Sequence, residues 1–217
     1  EDSNLKFQFS NLLKFIRIIA IFLTLFLPGL YIAITSFHQE LIPTELLFTI
    51  VASRESVPFP IIVELLLMEF SFELIREGGL RIPSAIGPTI GIVGALILGQ
   101  AAVDASIVSP ILTIIVSITG LASFAIPDFS LSFHCRISRF IYIFLGYLCG
   151  FLGIAMGFFI NLFILSSIES FGVAYLSPYI PFEEKYKKGL LVPPIWKREK
   201  RPGFLDTKKE NKQSNIS

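Results

Sequence analysis

The 217-residue chain is 53% hydrophobic and carries 22 phenylalanines, yet only 16% of its residues are charged, against about 25% in ordinary soluble proteins. Its 18 Lys and Arg against 17 Asp and Glu leave a net charge of +1, which excludes a general affinity for nucleic acid, and two cysteines, Cys135 and Cys149, exclude a disulfide framework. With a mean hydropathy of +0.71, the composition excludes an ordinary soluble domain and points to an integral membrane protein.

Apolar runs at residues 18–37, 86–103, 107–127 and 140–165 are each long enough, or nearly so, for a hydrocarbon core about 30 Å thick, which takes about 20 helical residues. Residues 1–17 form a basic lead-in that ends in Lys14 and Arg17. The first run is longer than a signal-peptide core and is read as a true span, kinked near its middle by Pro28-Gly29. Between 38 and 60 come Pro43, Glu45, Arg54, Glu55, Pro58 and Pro60, and the apolar stretch 46–52 is too short to span. It reads as a short interfacial or re-entrant helix.

Residues 61–77 are apolar yet studded with Glu64, Glu69, Glu73, Arg76 and Glu77. At about 100° per residue, Glu69, Glu73, Arg76 and Glu77 share one helical face and Glu64 lies opposite. Gly78-Gly79 predicts a stop there. A linker with Arg81 and Pro83 follows, and the second and third runs turn tightly at Asp104-Ala105-Ser106, which makes them an antiparallel hairpin. Ser109-Pro110 predicts a helix cap and first helical residue, and Pro127-Asp128 ends that helix. Residues 129–139, with Arg136 and Arg139, read as a loop before a final run of about 39 Å that must tilt or protrude.

Basic residues mark the cytoplasmic side, so the lead-in and the tail, which holds ten of the 18 Lys and Arg between Lys185 and Lys212, place both termini there and require an even number of crossings. The expectation is an all-α polytopic transmembrane bundle. It has about four spanning helices plus an interfacial or re-entrant acidic helix, divided as lead-in 1–17, membrane domain 18–180 and basic, partly disordered tail 181–217. Tail residues such as Lys197, Arg198, Lys200 and Arg201 would sit on anionic lipid.

Chemistry-bearing patterns are few. Gly87, Gly91, Ala95 and Gly99 recur every four residues, and Gly146, Gly150, Gly153 and Gly157 share a face. In lipid such seams let helices approach closely, either within one chain or between subunits. The acidic helix either lies at the surface with a local Arg76–Glu73 pair, or places Glu64, Glu69, Glu73 and Glu77 along a cation path in an oligomer. Gln100 and Asp104 stand one turn apart, and Asp104 either caps the next helix or joins a polar vestibule. His38 and His134 lack metal-ligand spacing. Gly120-Leu121-Ala122-Ser123 lacks the glycine an intramembrane serine protease has next, because Phe124 stands there. No metal, cofactor or enzymatic activity is expected.

Particular strings carry a resemblance. Pro58-Phe59-Pro60 through Glu64, then Met68-Glu69-Phe70-Ser71-Phe72-Glu73 and Arg76-Glu77, with Gly99-Gln100-Ala101-Ala102-Val103, Val108-Ser109-Pro110, Ala122-Ser123-Phe124-Ala125-Ile126-Pro127 and Tyr175-Leu176-Ser177-Pro178, resemble the A subunit of bacterial spore germinant receptors, the GerA family. The resemblance runs from about residue 10 to about 203. Ala174 stands where the family commonly has proline, and the soluble domain that usually precedes the first span is not in this sequence. Since residue 1 is Glu rather than Met, a fragment or processed piece is expected.

The resemblance implies a subunit of a multi-subunit nutrient receptor in the spore inner membrane, one that triggers ion release and germination. Its A subunits would form an ion-conducting homo-oligomer alongside a B-type membrane subunit and a C-type lipoprotein. The alternatives are a non-conducting scaffold subunit of that receptor, or a paralogue associated with the dipicolinic-acid release machinery.

Overall fold

The computed structural model describes residues 7–80, 87–170 and 173–174. They form α1 Phe7–Phe37, a 3-10 turn Gln39–Leu41, α2 Thr44–Arg54, α3 Ile61–Leu80, α4 Gly87–Asp104, α5 Pro110–Phe124 and α6 Phe129–Ser167. A two-residue antiparallel bridge follows, β1 Glu169–Ser170 against β2 Val173–Ala174. The helical class expected from the sequence is thus observed. Residues 1–6 of the lead-in, Arg81 and Pro83 of the linker, and the whole basic tail lie outside the described residues.

Two units are distinguished, residues 19–157 and residues 1–18 with 158–217. In the first, α3 packs on both α4 and α5. Its core is a cluster of Leu65 and Met68 from α3, Leu112 and Val116 from α5, Ile32 from α1 and Ile143 from α6. A second cluster joins Phe26 and Ala33 of α1 to Tyr142 and Ile154 of α6. In the other unit the described residues are the start of α1, the end of α6 and the β1–β2 bridge.

By length and composition, segments Gln8–Phe37 and Ser130–Ser167 are apolar enough to cross a membrane, the second of them interrupted at Gly150, and Val93–Asp104 and Pro110–Phe124 are shorter apolar helices. Outward positions such as Leu96, Leu148 and Leu152 are about two-thirds exposed or more. Surfaces of this kind suit hydrocarbon better than water, which is consistent with a membrane location.

Three local expectations are corrected. First, α3 does not stop at Gly78-Gly79 but continues to Leu80. Glycine only weakens a helix, by about 1 kcal/mol relative to Ala, and it ends one when it adopts a left-handed conformation; neither glycine has positive φ.

Second, residues 129–139 are not a loop. The Asp128 carboxylate accepts a hydrogen bond from the Leu131 amide at 2.8 Å, and α6 begins directly behind it. The polar residues of this stretch are helical residues turned inward, as described below.

Third, the last apolar run is not one straight rod. Gly150 has φ 60° and ψ −142°, a region open essentially to glycine alone. A Cβ built on Gly157 would meet Leu145 and Tyr142, and the Ile154 side chain approaches Gly146. In a continuous helix residues 145 and 157 would stand about 18 Å apart. The chain therefore doubles back at Gly150, and the two limbs of α6 pack on each other.

Close backbone approach fixes α1 against the first limb. A Cβ on Gly29 would lie 2.8 Å from the Tyr142 carbonyl oxygen, and one on Gly146 would lie 2.6 Å from that of Gly29. Only glycine fits at either place.

Candidate functional site

Helix α3 carries its acids inward. Glu64 and Glu69 are fully buried, Glu73 is partly so, and Glu77 is exposed at the far end. A carboxylate in an apolar helical domain is costly unless a partner meets it, and the partners come from elsewhere in the chain.

Glu64, one turn into α3, ties down two other elements. Its Oε1 accepts the backbone N–H of Ser109 at 2.5 Å, and its Oε2 lies 3.3 Å from Nε of Arg54 at the end of α2. Ser109 is the cap of α5: its hydroxyl accepts from the Leu112 amide at 3.4 Å and Pro110 holds the first helical position. Glu64 thus satisfies the donor at the cap that the hydroxyl cannot reach. The strings around Pro60–Glu64 and Val108–Pro110, distant in sequence, meet here.

A second cluster lies further along α3, where Arg139 of α6 contacts Glu69 at 2.9 Å and Glu73 at 3.7 Å. Arg136, one turn earlier, pairs with the other oxygen of Glu73. Arg76 stands 3.8 Å from Glu73 in the i,i+3 relation and donates from Nη2 to the Gly120 carbonyl at 3.2 Å and to the Ser123 hydroxyl. Ser123 in turn donates to Gly120 at 2.5 Å. The Arg76 guanidinium also lies over the Phe124 ring, 4.7 Å from its centroid. Three helices, α3, α5 and α6, are therefore held by one lattice of two carboxylates and three guanidinia.

The lattice is incompletely satisfied. Buried atoms without a hydrogen-bond acceptor or donor include both oxygens of Glu69, Nε and Nη1 of Arg76, and Nε of Arg136 and of Arg139. Neutralisation is by ion pairing at these distances rather than by full hydrogen bonding, and unmet polar atoms in such surroundings are costly.

The remaining sequence-derived positions are scattered. Gln100 donates to Asp104 at 3.0 Å on the exposed end of α4, away from the cap of α5, which Ser109 supplies. Gly99 faces Thr113 of α5, Ala95 and Gly91 border a cavity against α3 and α5, and Gly87 opens α4. Gly146 meets Gly29, while Gly153 and Gly157 meet Leu145 across the turn of α6. His38 stacks on Phe151 at 4.7 Å. Among the described residues no cluster of His, Cys, Asp and Glu is placed to hold a metal.

Sequence reasoning missed Arg54, Arg136, Arg139 and Ser123 as members of these clusters. The signal was present for two of them. Arg136 and Arg139 repeat at i,i+3, a spacing that puts both on one helical face, complementary to Glu69 and Glu73 at i,i+4.

A family model described as Bacillus/Clostridium GerA spore germination protein matches residues 1–204. The chain belongs to the GerA family. Among curated relatives, this GerA-family chain is 46% identical over 203 residues to spore germination protein KA of Bacillus subtilis, covering 93% of the chain and 37% of that protein. It is 47% identical over 169 residues to spore germination protein A1 of the same organism, 78% of the chain and 35% of the relative. It is also 45% identical over 204 residues to the uncharacterized membrane protein YfkQ of Bacillus subtilis, 94% of the chain and 40% of the relative. The GerA-family chain thus spans well under half the length of each of these relatives. No solved structure matches it.

Proposed function

We propose that this chain is the membrane domain of an A-type subunit of a nutrient germinant receptor in the spore inner membrane. Copies of it assemble into an ion-conducting oligomer, crossing the membrane with both termini on the core side, the basic tail on anionic lipid. Its other partners are a B-type membrane subunit and a C-type lipoprotein. The observation that carries the reading is the buried lattice around Glu69 and Glu73. Ionisable groups held inside a membrane domain mark ion pathways or the elements that control them.

In the arrangement described, Glu69 and Glu73 are neutralised by Arg136 and Arg139. Conduction past them requires those arginines to shift, so the lattice is the closed form of a gate. Opening frees Glu69 and Glu73 to join Glu77, and the further candidates Glu64, Gln100 and Asp104, along the path. The test is ion flux and reversal potential in proteoliposomes carrying the whole receptor. Glu69→Gln, Glu73→Gln and Glu77→Gln should each change the cation permeability ratio. Unchanged flux and selectivity in all three rules the reading out.

The ion pairing of Glu69 and Glu73 with Arg136 and Arg139 favours a second reading, in which the chain is a non-conducting scaffold of the receptor. In that case bulky residues at Gly150 or Gly153 abolish receptor assembly, while the three glutamate substitutions leave ion release intact.

A further inference from the structure

Helix α2 is held to the bundle at few points. Ile50 is its only buried residue, Leu46, Phe48 and Val51 stand exposed, and the Thr49 and Ser53 hydroxyls turn back onto its own backbone. Pro43 precedes it and Pro58 and Pro60 follow it. Proline interrupts helical hydrogen bonding, so α2 can lift without unwinding α1 or α3.

Charge supplies the other point of attachment. Arg54, its last residue, keeps 27% of its side chain exposed and lies 3.3 Å from Oε2 of Glu64, which has no exposure at all. The other oxygen of Glu64 is committed to the Ser109 amide at 2.5 Å. Lifting α2 withdraws the guanidinium and strands a carboxylate inside the bundle, a costly state unless another donor meets Oε2.

Such a donor is in place. Tyr31 of α1 is 7% exposed, and its hydroxyl is buried without a hydrogen-bond partner. Its side chain belongs to the same apolar cluster as Ile61 and Leu65, which flank Glu64, and as Val108 and Leu112, which flank Ser109. Glu64 and Arg54 both act on the phenol through their charge, and the Ser109 hydroxyl approaches it. An unmet buried hydroxyl destabilises the seated arrangement, whereas the same hydroxyl donating to an unmet carboxylate forms a charge-assisted bond.

We propose that α2 is a releasable strap and that Arg54 and Tyr31 compete for Oε2 of Glu64. With α2 seated, Arg54 holds the oxygen and the Tyr31 hydroxyl has no partner. With α2 lifted, the Tyr31 O–H donates to the carboxylate, no proton is transferred, and Glu64 keeps the Ser109 amide. Release of an exposed helix is thereby converted into a new bond between α1 and α3, and any contact that favours the lifted strap favours that bond equally. The proposal holds whether the chain conducts ions or serves as a scaffold.

The test is hydrogen–deuterium exchange of the full chain in lipid nanodiscs, followed in peptides from α2 and from the start of α5. The variants are Arg54→Met, Tyr31→Phe and the two together. Arg54→Met should speed exchange across α2 roughly tenfold or more, the worth of one charge-assisted hydrogen bond, while α5 stays protected because Tyr31 has replaced the arginine. Tyr31→Phe alone should slow α2 exchange, since the lifted state has lost its donor, and should leave α5 unchanged. In the double variant Oε2 has neither donor, Glu64 is drawn away from Ser109, and the start of α5 should exchange about tenfold faster than in either single one. Unaltered α2 exchange in Arg54→Met, faster α2 exchange in Tyr31→Phe, or an effect at α5 no larger than the sum of the single effects each overturns the proposal. Tyr31→Phe removes one oxygen from an apolar cluster and keeps the test decisive should Arg54→Met fail to fold.

Discussion

Arg139 of α6 reaches Glu69 of α3 at 2.9 Å, and neither side chain has appreciable exposure, at 2% and 0%. The contact joins α3 to α6 through charge, whereas Leu65 and Met68 of α3 and Ile143 of α6 share an apolar cluster. Its worth is asymmetric: an ion pair removed from solvent gains little over a well-packed apolar pair, but losing one member leaves the other stranded.

Glu69→Ala or Arg139→Ala should therefore destabilise the folded chain by about 3–5 kcal/mol, seen as a large fall in apparent Tm in detergent. Replacing both partners at once, as Glu69→Leu with Arg139→Met, should recover most of that loss. A double variant whose loss equals the sum of the two single losses would show that the two residues are not coupled and that the pair is not what holds α3 to α6.

How far this was legible from the sequence depends on the kind of signal. The shared face of Glu69, Glu73 and Arg76 follows from helical periodicity alone, and Ser109-Pro110 announces a helix start by residue chemistry. Arg136 and Arg139 were hidden because arginines beside an apolar run ordinarily mark the membrane edge, and only the position of α3 reveals them as partners. Gly150 was hidden for another reason. It sits in phase with Gly146, Gly153 and Gly157, so pattern makes it one more packing glycine, whereas its positive φ makes it the turn that brings the others together.

Glu64 offers a cleaner separation of charge from hydrogen bonding. Glu64→Gln keeps an acceptor for the Ser109 amide and loses only the ionic contact to Arg54. Glu64→Ala leaves the amide and the guanidinium both unmet. Thermal unfolding should show Ala costing about 1–3 kcal/mol more than Gln. Equal losses would mean that the Ser109 bond contributes nothing to holding α5.

The glycines divide by what surrounds them. Gly29→Ala and Gly146→Ala would drive a methyl group to 2.8 and 2.6 Å from backbone oxygens, and backbone cannot swing aside as a side chain can. Each should cost about 1–3 kcal/mol by overpacking. Gly78, also within a helix, has nothing within 4 Å of its would-be Cβ, so Gly78→Ala should stabilise by about 0.5–1 kcal/mol through helix propensity. Melting curves of the three variants side by side check the sign of each.

Gly150 tests the doubling back of α6 directly. An L-residue at φ 60° and ψ −142° carries strain of about 1–3 kcal/mol, and its Cβ would also press on Phe37 and His38 at 3.3 and 3.2 Å. The strain is relieved if the backbone at 150 becomes helical, and that straightens the two limbs into one rod. Spin labels at the outward positions Phe144 and Met156 report which state is present, because a continuous helix sets them about 18 Å apart. The unsubstituted chain should give a separation well short of that, and Gly150→Ala should lengthen it toward the helical value. A distance near 18 Å in both would mean the limbs never folded together, and the contacts of Gly157 with Leu145 and Tyr142 would lose their explanation.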